Sequence, residues 1–207
     1  MSEGHPIFAL FYGWFGRLDD RAGFAARRRS LLTQARGIVV EIGAGTGLNF
    51  RHYPLDAQVT ATEPDPHMFK RAEKAAIRAG RAVTVQRASA ESLPFQNASV
   101  DVVVSTLVLC SVSDQTAALA EIRRILRPGG KLLLLEHVRS EDPALARKQD
   151  RRAPSHVRFA AGCHPNRDTL RAVEMAGFGA TAIERITLPG FKVTRPGIRG
   201  EARKPPV

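Results

Sequence analysis

Cysteine is nearly absent from this sequence: Cys110 and Cys163 are the only two in 207 residues, and they form no paired spacing such as C-x-x-C. That excludes the disulfide-stapled secreted domains and points to a reducing cytoplasm. No metal ion is expected, since Cys163, His164 and His156 would lack a fourth ligand. No run approaches the about 18 to 20 apolar residues of a membrane span. Nor does a basic stretch lead into an apolar core and a small-residue cleavage site at the N-terminus. Acidic residues are scarce too, 20 against 31 Lys and Arg, for a formal net charge of +11. Such a surplus favours anionic partners, phospholipid surfaces or nucleic acid. The basic residues are scattered and not interleaved with aromatics, which make up 6% of the chain, so a nucleic-acid partner is not expected.

What is present, 43% hydrophobic residues, suffices for one ordinary α/β core and little more. Residues 5–15 are strongly aromatic, and 19–34 begin acidic and turn Arg-rich, as an N-terminal helix would. From Gly37 onward short apolar runs at 38–42, 58–62, 83–86, 100–105 and 131–135 alternate with helical segments at about 66–79, 114–126 and 167–176. Gly80, Pro128-Gly129-Gly130 and Gly177 stop those helices. This alternation predicts βαβ units around one doubly wound, mainly parallel α/β sheet. Residues 180–188 and 191–196 add a hairpin turned at Pro189-Gly190, whose last strand is antiparallel. The expected organisation is an N-terminal helical lid over 1–36, the main domain over 37–198 and a flexible tail over 199–207.

The chemistry concentrates in Val39-Val40-Glu41-Ile42-Gly43-Ala44-Gly45-Thr46-Gly47, a buried strand running into three alternate glycines. Glycines permit positive φ and let a ligand lie against the main chain at the carboxyl edge of the first strand. The spacing is G-x-G-x-G, neither the dinucleotide G-x-G-x-x-G nor a phosphate-cradling G-x-x-x-x-G-K-[ST], so a phosphate-free ligand fits better. One βα unit on, the strand Val59-Thr60-Ala61-Thr62 ends in Glu63, whose carboxylate can accept from both hydroxyls of a ribose. Ala90-Glu91-Ser92-Leu93-Pro94-Phe95 follows the third strand, and Ser99-Val100-Asp101-Val102-Val103 and Leu126-Arg127-Pro128-Gly129-Gly130 frame the fourth and fifth.

In that order these marks resemble the class I methyltransferases of the ubiquinone-biosynthesis type (methyltransferase type 11) over about residues 37–138. The resemblance implies a Rossmann-like fold, with S-adenosyl-L-methionine as cofactor. It implies that Glu41, Gly43, Ala44, Gly45 and Gly47 hold the amino-acid end of the cofactor and that Glu63 takes its ribose. Pro64 and Met68 would line the adenine pocket, Ala90 and Glu91 would contact the base, and Thr106 and Leu107 would face the sulfonium. Met68 reads equally as a helix-core residue, and Glu91 as a solvated carboxylate. A narrower likeness runs through Ser105-Thr106-Leu107-Val108-Leu109-Cys110-Ser111-Val112, Glu136-His137-Val138 and Gly162-Cys163. These resemble the methyltransferase-like seven group, small-thiol methyltransferases anchored by an N-terminal apolar helix. Here Gly13 and Gly16 interrupt the corresponding segment, so the anchor does not carry over.

The resemblance thus implies a small-molecule acceptor, with a thiol ahead of lipid, quinone-like or nucleic-acid acceptors. In-line methyl transfer asks the protein mainly to hold donor and acceptor about 3 Å apart and exclude water. A thiol must also become a thiolate from a free pKa near about 8.5. His137, at the end of the fifth strand, is the candidate base. Cys110, Cys163 and His164 could approach the same pocket, although cysteines so placed are usually small core residues. The aromatic segment from Phe8 to Phe15 reads as a lid with Tyr12, a second catalytic candidate, and Trp14 facing inward. It reads also as plain helix packing, or as an interfacial helix making peripheral contact with an anionic membrane.

Overall fold

The computed structural model describes residues 23–160 and 162–206. Its centre is a seven-stranded sheet in the order β3-β2-β1-β4-β5-β7-β6. The strands are β1 (Ile38–Ile42), β2 (Gln58–Thr62), β3 (Val83–Gln86), β4 (Val100–Thr106), β5 (Leu126–His137), β6 (Gly179–Thr187) and β7 (Pro196–Arg203). The first five pair in parallel, and β7 runs antiparallel to both β5 and β6. The helices are α1 (Ala25–Leu32), α2 (Pro66–Arg78), α3 (Gln115–Ile125), α4 (Pro143–Phe159) and α5 (Thr169–Met175). The expected mainly parallel α/β sheet with one antiparallel C-terminal strand is the one found.

Covered on both faces, the central strands read as nearly unbroken apolar runs. Successive residues serve opposite layers. Val39, Val104 and Leu133 pack with Leu31, Leu32 and Ala72 on one side, while Val40, Val103, Leu132 and Leu134 pack with Leu119, Ile122 and Val173 on the other. Each crossover helix begins at a side-chain cap: Asp65 accepts from the amides of His67 and Met68, and Asp114 from those of Thr116 and Ala117. No helix among the described residues is long and apolar enough to cross a membrane.

Several expectations need correction. Residues 199–203, expected in a flexible tail, complete β7 between β5 and β6, with Ile198 and Ala202 fully buried. Gly197 and Gly200 blur the alternation that would have revealed this strand; a Cβ on Gly200 would lie 2.1 Å from the Ala182 carbonyl oxygen. The hairpin is not closed tightly at Pro189-Gly190, because a 3-10 turn, Lys192–Thr194, separates β6 from β7. The helix does end just before Pro128, at Ile125, but Leu126–Gly130 is at once the irregular start of β5, bulging where the pairing jumps from Val100↔Leu126 to Val102↔Lys131. The connection over 139–166 contains α4, which turns the small or polar Ala146, Gln149 and Ala153 inward and so lacks an apolar stripe. Phe24, Leu31 and Leu32 belong to the core, so the described part of 1–36 is body and not lid.

Candidate functional site

Because β1, β2, β4 and β5 are parallel neighbours, the loops leaving Ile42, Thr62, Thr106 and His137 share one rim of the sheet, the edge at which open α/β folds bind ligands. The turn after β1 carries positive φ at Gly43, Gly45 and Gly47, of +55°, +59° and +78°. A Cβ on Gly43 would come within 2.7 Å of the Val108 methyls, and one on Gly47 within 2.6 Å of the Phe50 ring. Those two glycines are therefore demanded by the protein's own packing as well as by backbone conformation. Ala44 is buried and its amide extends the β1–β2 pairing to Thr62 O at 2.9 Å. Gly45 differs, because its amide donates to Glu63 Oε2 at 2.7 Å and ties the glycine turn to the end of β2.

Glu63 also accepts the Asp65 amide on Oε1 at 2.9 Å. At 6% exposure, burial raises its pKa to about 7 against the pull of those two amides. Each oxygen keeps a lone pair, so the carboxylate can take two further donors, as a vicinal diol provides. Thr46 Oγ1, in the same turn, is buried without a hydrogen-bond partner among the described residues. An acceptor with spare capacity beside an unpartnered hydroxyl fits the sugar and polar tail of a nucleoside cofactor.

Beneath the turn lies a buried polar network. Glu41, 2% exposed, accepts from Asn49 Nδ2 at 3.0 Å and from the Tyr53 hydroxyl at 2.7 Å. Asn49 also reaches Thr106 Oγ1 at 3.1 Å and accepts from Arg28 Nη1 at 2.8 Å. Burial raises the Glu41 carboxyl to about 7, opposed by the bonds from Tyr53 and Asn49 and by the Arg28 charge. Each oxygen thus engages one protein donor and, as in Glu63, keeps a lone pair, while the network ties Glu41 to the segment that follows the turn.

Met68 is buried at the start of α2 and Pro64 is exposed just before it. Ala90 is buried against the second core layer. Glu91 is half-exposed but not free: its Oε1 accepts the amides of Ser113 at 2.9 Å and Asp114 at 3.3 Å, fastening the loop after β3 to the start of α3. Thr106 ends β4, and Leu107 follows in the left-handed region at φ +59°, its amide held by Leu135 O at 2.8 Å.

Glu136 was noted above only as part of the motif Glu136-His137-Val138 and given no role, although an acidic residue closing the run Leu132-Leu133-Leu134-Leu135 was a visible signal. Fully buried, it accepts from Ser105 Oγ at 2.6 Å and from the amides of Val108, Leu109 and Cys110 at 3.0, 3.2 and 3.2 Å. It thereby holds the loop after β4. Arg167 grips that loop from the other side through Leu109 O and Val112 O.

That loop brings Cys110 to His137. Cys110 Sγ lies 3.9 Å and Cys163 Sγ 3.6 Å from His137 Nδ1, and the two sulfurs are 3.8 Å apart. Contact with Cys163, then burial, pushes the Cys110 thiol well above its ordinary range, so alone it is a poor nucleophile. Cys163, His164 and His156, set aside above for want of a fourth ligand, do not come together; among the described residues Cys110, His137 and Cys163 are the ones that gather. Tyr12, Trp14 and the rest of the aromatic segment from Phe8 to Phe15 lie outside the described residues.

Comparison with known proteins agrees with this geometry. A methyltransferase domain family matches residues 40–134. The human (Homo sapiens) thiol S-methyltransferase TMT1A is 36% identical over 183 residues, covering 80% of this chain and 70% of the relative. The ubiquinone/menaquinone biosynthesis C-methyltransferase UbiE of Marinomonas sp. (strain MWYL1) is 28% identical, covering 74% and 71%. A solved S-adenosylmethionine-dependent methyltransferase of Thermotoga maritima matches with a TM-score of 0.70 at 24% identity, covering 96% of this chain and 98% of that one, a likeness of fold. On sequence over most of its length and fold over nearly all of it, the chain belongs to the S-adenosylmethionine-dependent methyltransferases and is an enzyme that uses that cofactor.

Proposed function

We propose that the methyl acceptor is a small thiol. The observation that carries this reading is the extended similarity to relatives named thiol S-methyltransferases, at 36% and 35% identity for the two human proteins. In this reading Glu63 receives the ribose hydroxyls, and the turn from Gly43 to Gly47 bears the amino-acid end. Pro64, Met68, Ala90 and the backbone at Glu91 surround the base, and Thr106 and Leu107 face the reacting centre. The cofactor supplies an electrophilic methyl on a sulfonium. The chain's part is to fix the acceptor in line, exclude water and lower the cost of removing the thiol proton. His137 stands at the same rim, one strand beyond Thr106, where that proton would leave.

A methyl-release assay against thiols, phenols, amines and phospholipid head groups tests the reading. Turnover with thiols alone is the expected result. Turnover with another class and none with thiols removes it.

A further inference from the structure

Cys110, His137 and Cys163 come from three separate segments: the loop after β4, the end of β5 and the turn after α4. A tetrahedral zinc ion with Zn–S of about 2.3 Å and Zn–N of about 2.0 Å would set its sulfur ligands about 3.8 Å apart and each sulfur about 3.5 Å from the nitrogen. The separations here are 3.8 Å between the sulfurs and 3.6 and 3.9 Å from sulfur to Nδ1. Two edges of the triangle match one face of such a tetrahedron to about 0.1 Å, and the third, from Cys110 to Nδ1, needs to shorten by about 0.4 Å.

The corner is also built to keep that shape. Glu136 holds the Cys110 amide, and the His164 amide donates to Cys110 O at 2.7 Å, pinning the Cys163 segment to the loop after β4. Gly162 has φ +80°, and a Cβ there would meet the Ser111 carbonyl oxygen at 2.9 Å, so the two segments approach as closely as glycine allows. Two thiols and an imidazole suit a borderline-soft divalent ion far better than magnesium or calcium.

We propose that Cys110, Cys163 and His137 bind one zinc ion whose fourth position receives the acceptor thiol. The ion binding stands by itself; the use of its fourth position rests on the thiol reading above. On coordination the acceptor R–SH gives its proton to solvent and is held as thiolate. Its sulfur lone pair then forms the S–CH3 bond while the sulfonium S–CH3 bond breaks, leaving the methyl thioether, S-adenosylhomocysteine and one released proton. His137 lowers the cost of deprotonation as a ligand, not as a free base.

The test is metal content by mass spectrometry of the full chain, purified under reducing conditions from zinc-supplemented cells. It is joined to cobalt substitution read by the thiolate-to-cobalt absorption band. Stoichiometric zinc and a cobalt–thiolate band are expected, both falling to background in Cys110→Ser and Cys163→Ser. Calorimetric cofactor affinity within about twofold of the wild type would show that the variants fold. His137→Gln should lose the metal while keeping the cofactor. Absence of zinc and of the cobalt band from the wild type, copper in place of zinc, or a Cys110–Cys163 disulfide under those conditions would each overturn the site, and thiol methylation by metal-free protein would overturn the use of its fourth position. Zinc bound by a protein that methylates no thiol upholds the site and removes only the thiol reading.

Discussion

Removing the Glu63 carboxylate gives the sharpest test of the cofactor site. In Glu63→Ala the ribose loses two hydrogen bonds to a charged acceptor, each worth about 1.5–3 kcal/mol net. Even if water recovers one of them, affinity should fall by roughly 10- to 150-fold, at about 1.4 kcal/mol per tenfold. The same carboxylate gives a pH signature. Its pKa in the free protein is raised to about 7 by burial, and hydroxyl donors favour the charged form, so the bound-state pKa must be lower. Affinity should be full above about 7 and fall by up to about tenfold per unit as pH drops below it, until the bound-state pKa is reached. Titration calorimetry with methylthioadenosine, which lacks a titrating amino-acid tail, isolates this group. The slope should vanish in Glu63→Gln. An unchanged Kd in Glu63→Ala, or a flat wild-type profile between about 5 and 7, would refute the assignment.

The remaining predictions concern stability. Glu41, raised from 4.5 to about 7, adds stability that is complete below about 4.5 and lost as pH rises through about 7. The change is about 3 kcal/mol, and because Glu63 behaves alike, Glu41→Gln should remove roughly half of the loss of stability seen by urea denaturation between about 5 and 8. Glu136→Ala leaves a hydroxyl and buried amides without their acceptor and should cost about 3–5 kcal/mol in the same assay; a cost under about 1 kcal/mol would contradict the role given to it. Gly43→Ala meets both a positive φ and the Val108 methyls, so a loss of about 1–3 kcal/mol is expected, read as a lower midpoint of thermal unfolding.

The parallel half of the sheet was legible because its strands are buried on both faces. Val39-Val40-Glu41-Ile42 and Val100-Asp101-Val102-Val103-Val104 show their apolar runs without any knowledge of neighbours. What escaped depends on tertiary contact. Helix α4 packs through Ala146, Gln149 and Ala153, and Gln149 Nε2 bonds the carbonyls of Val138, Pro165 and Val193, links with no local periodicity. Strand β7 hides behind glycines whose need appears only when β6 lies against them. In the site, Glu63 was legible as an acid ending a strand, while Glu41 and Glu91 were legible as residues but not in their partners. Asn49, Tyr53 and the amides of Ser113 and Asp114 reach them across the fold.

In the proposed reading, the loop after β4 is where the two halves of the reaction meet. On the cofactor side Val108 lies against Gly43, and Thr106 shares Asn49 with Glu41. On the other side Cys110 stands beside His137 and Cys163. One buried carboxylate, Glu136, binds the amides of Val108, Leu109 and Cys110 together. The left-handed Leu107 at the head of this loop is a conformation a bulky residue adopts only when its surroundings impose it, at about 1–3 kcal/mol. Methyl transfer needs few catalytic groups but an accurate approach, and a misplacement of about 1 Å can cost about a hundredfold. On the proposed reading, a segment tied by Glu136 to both the glycine turn and the thiol–imidazole corner would meet that need, and the catalytic contribution of this fold would then lie in its buried carboxylates as much as in its rim.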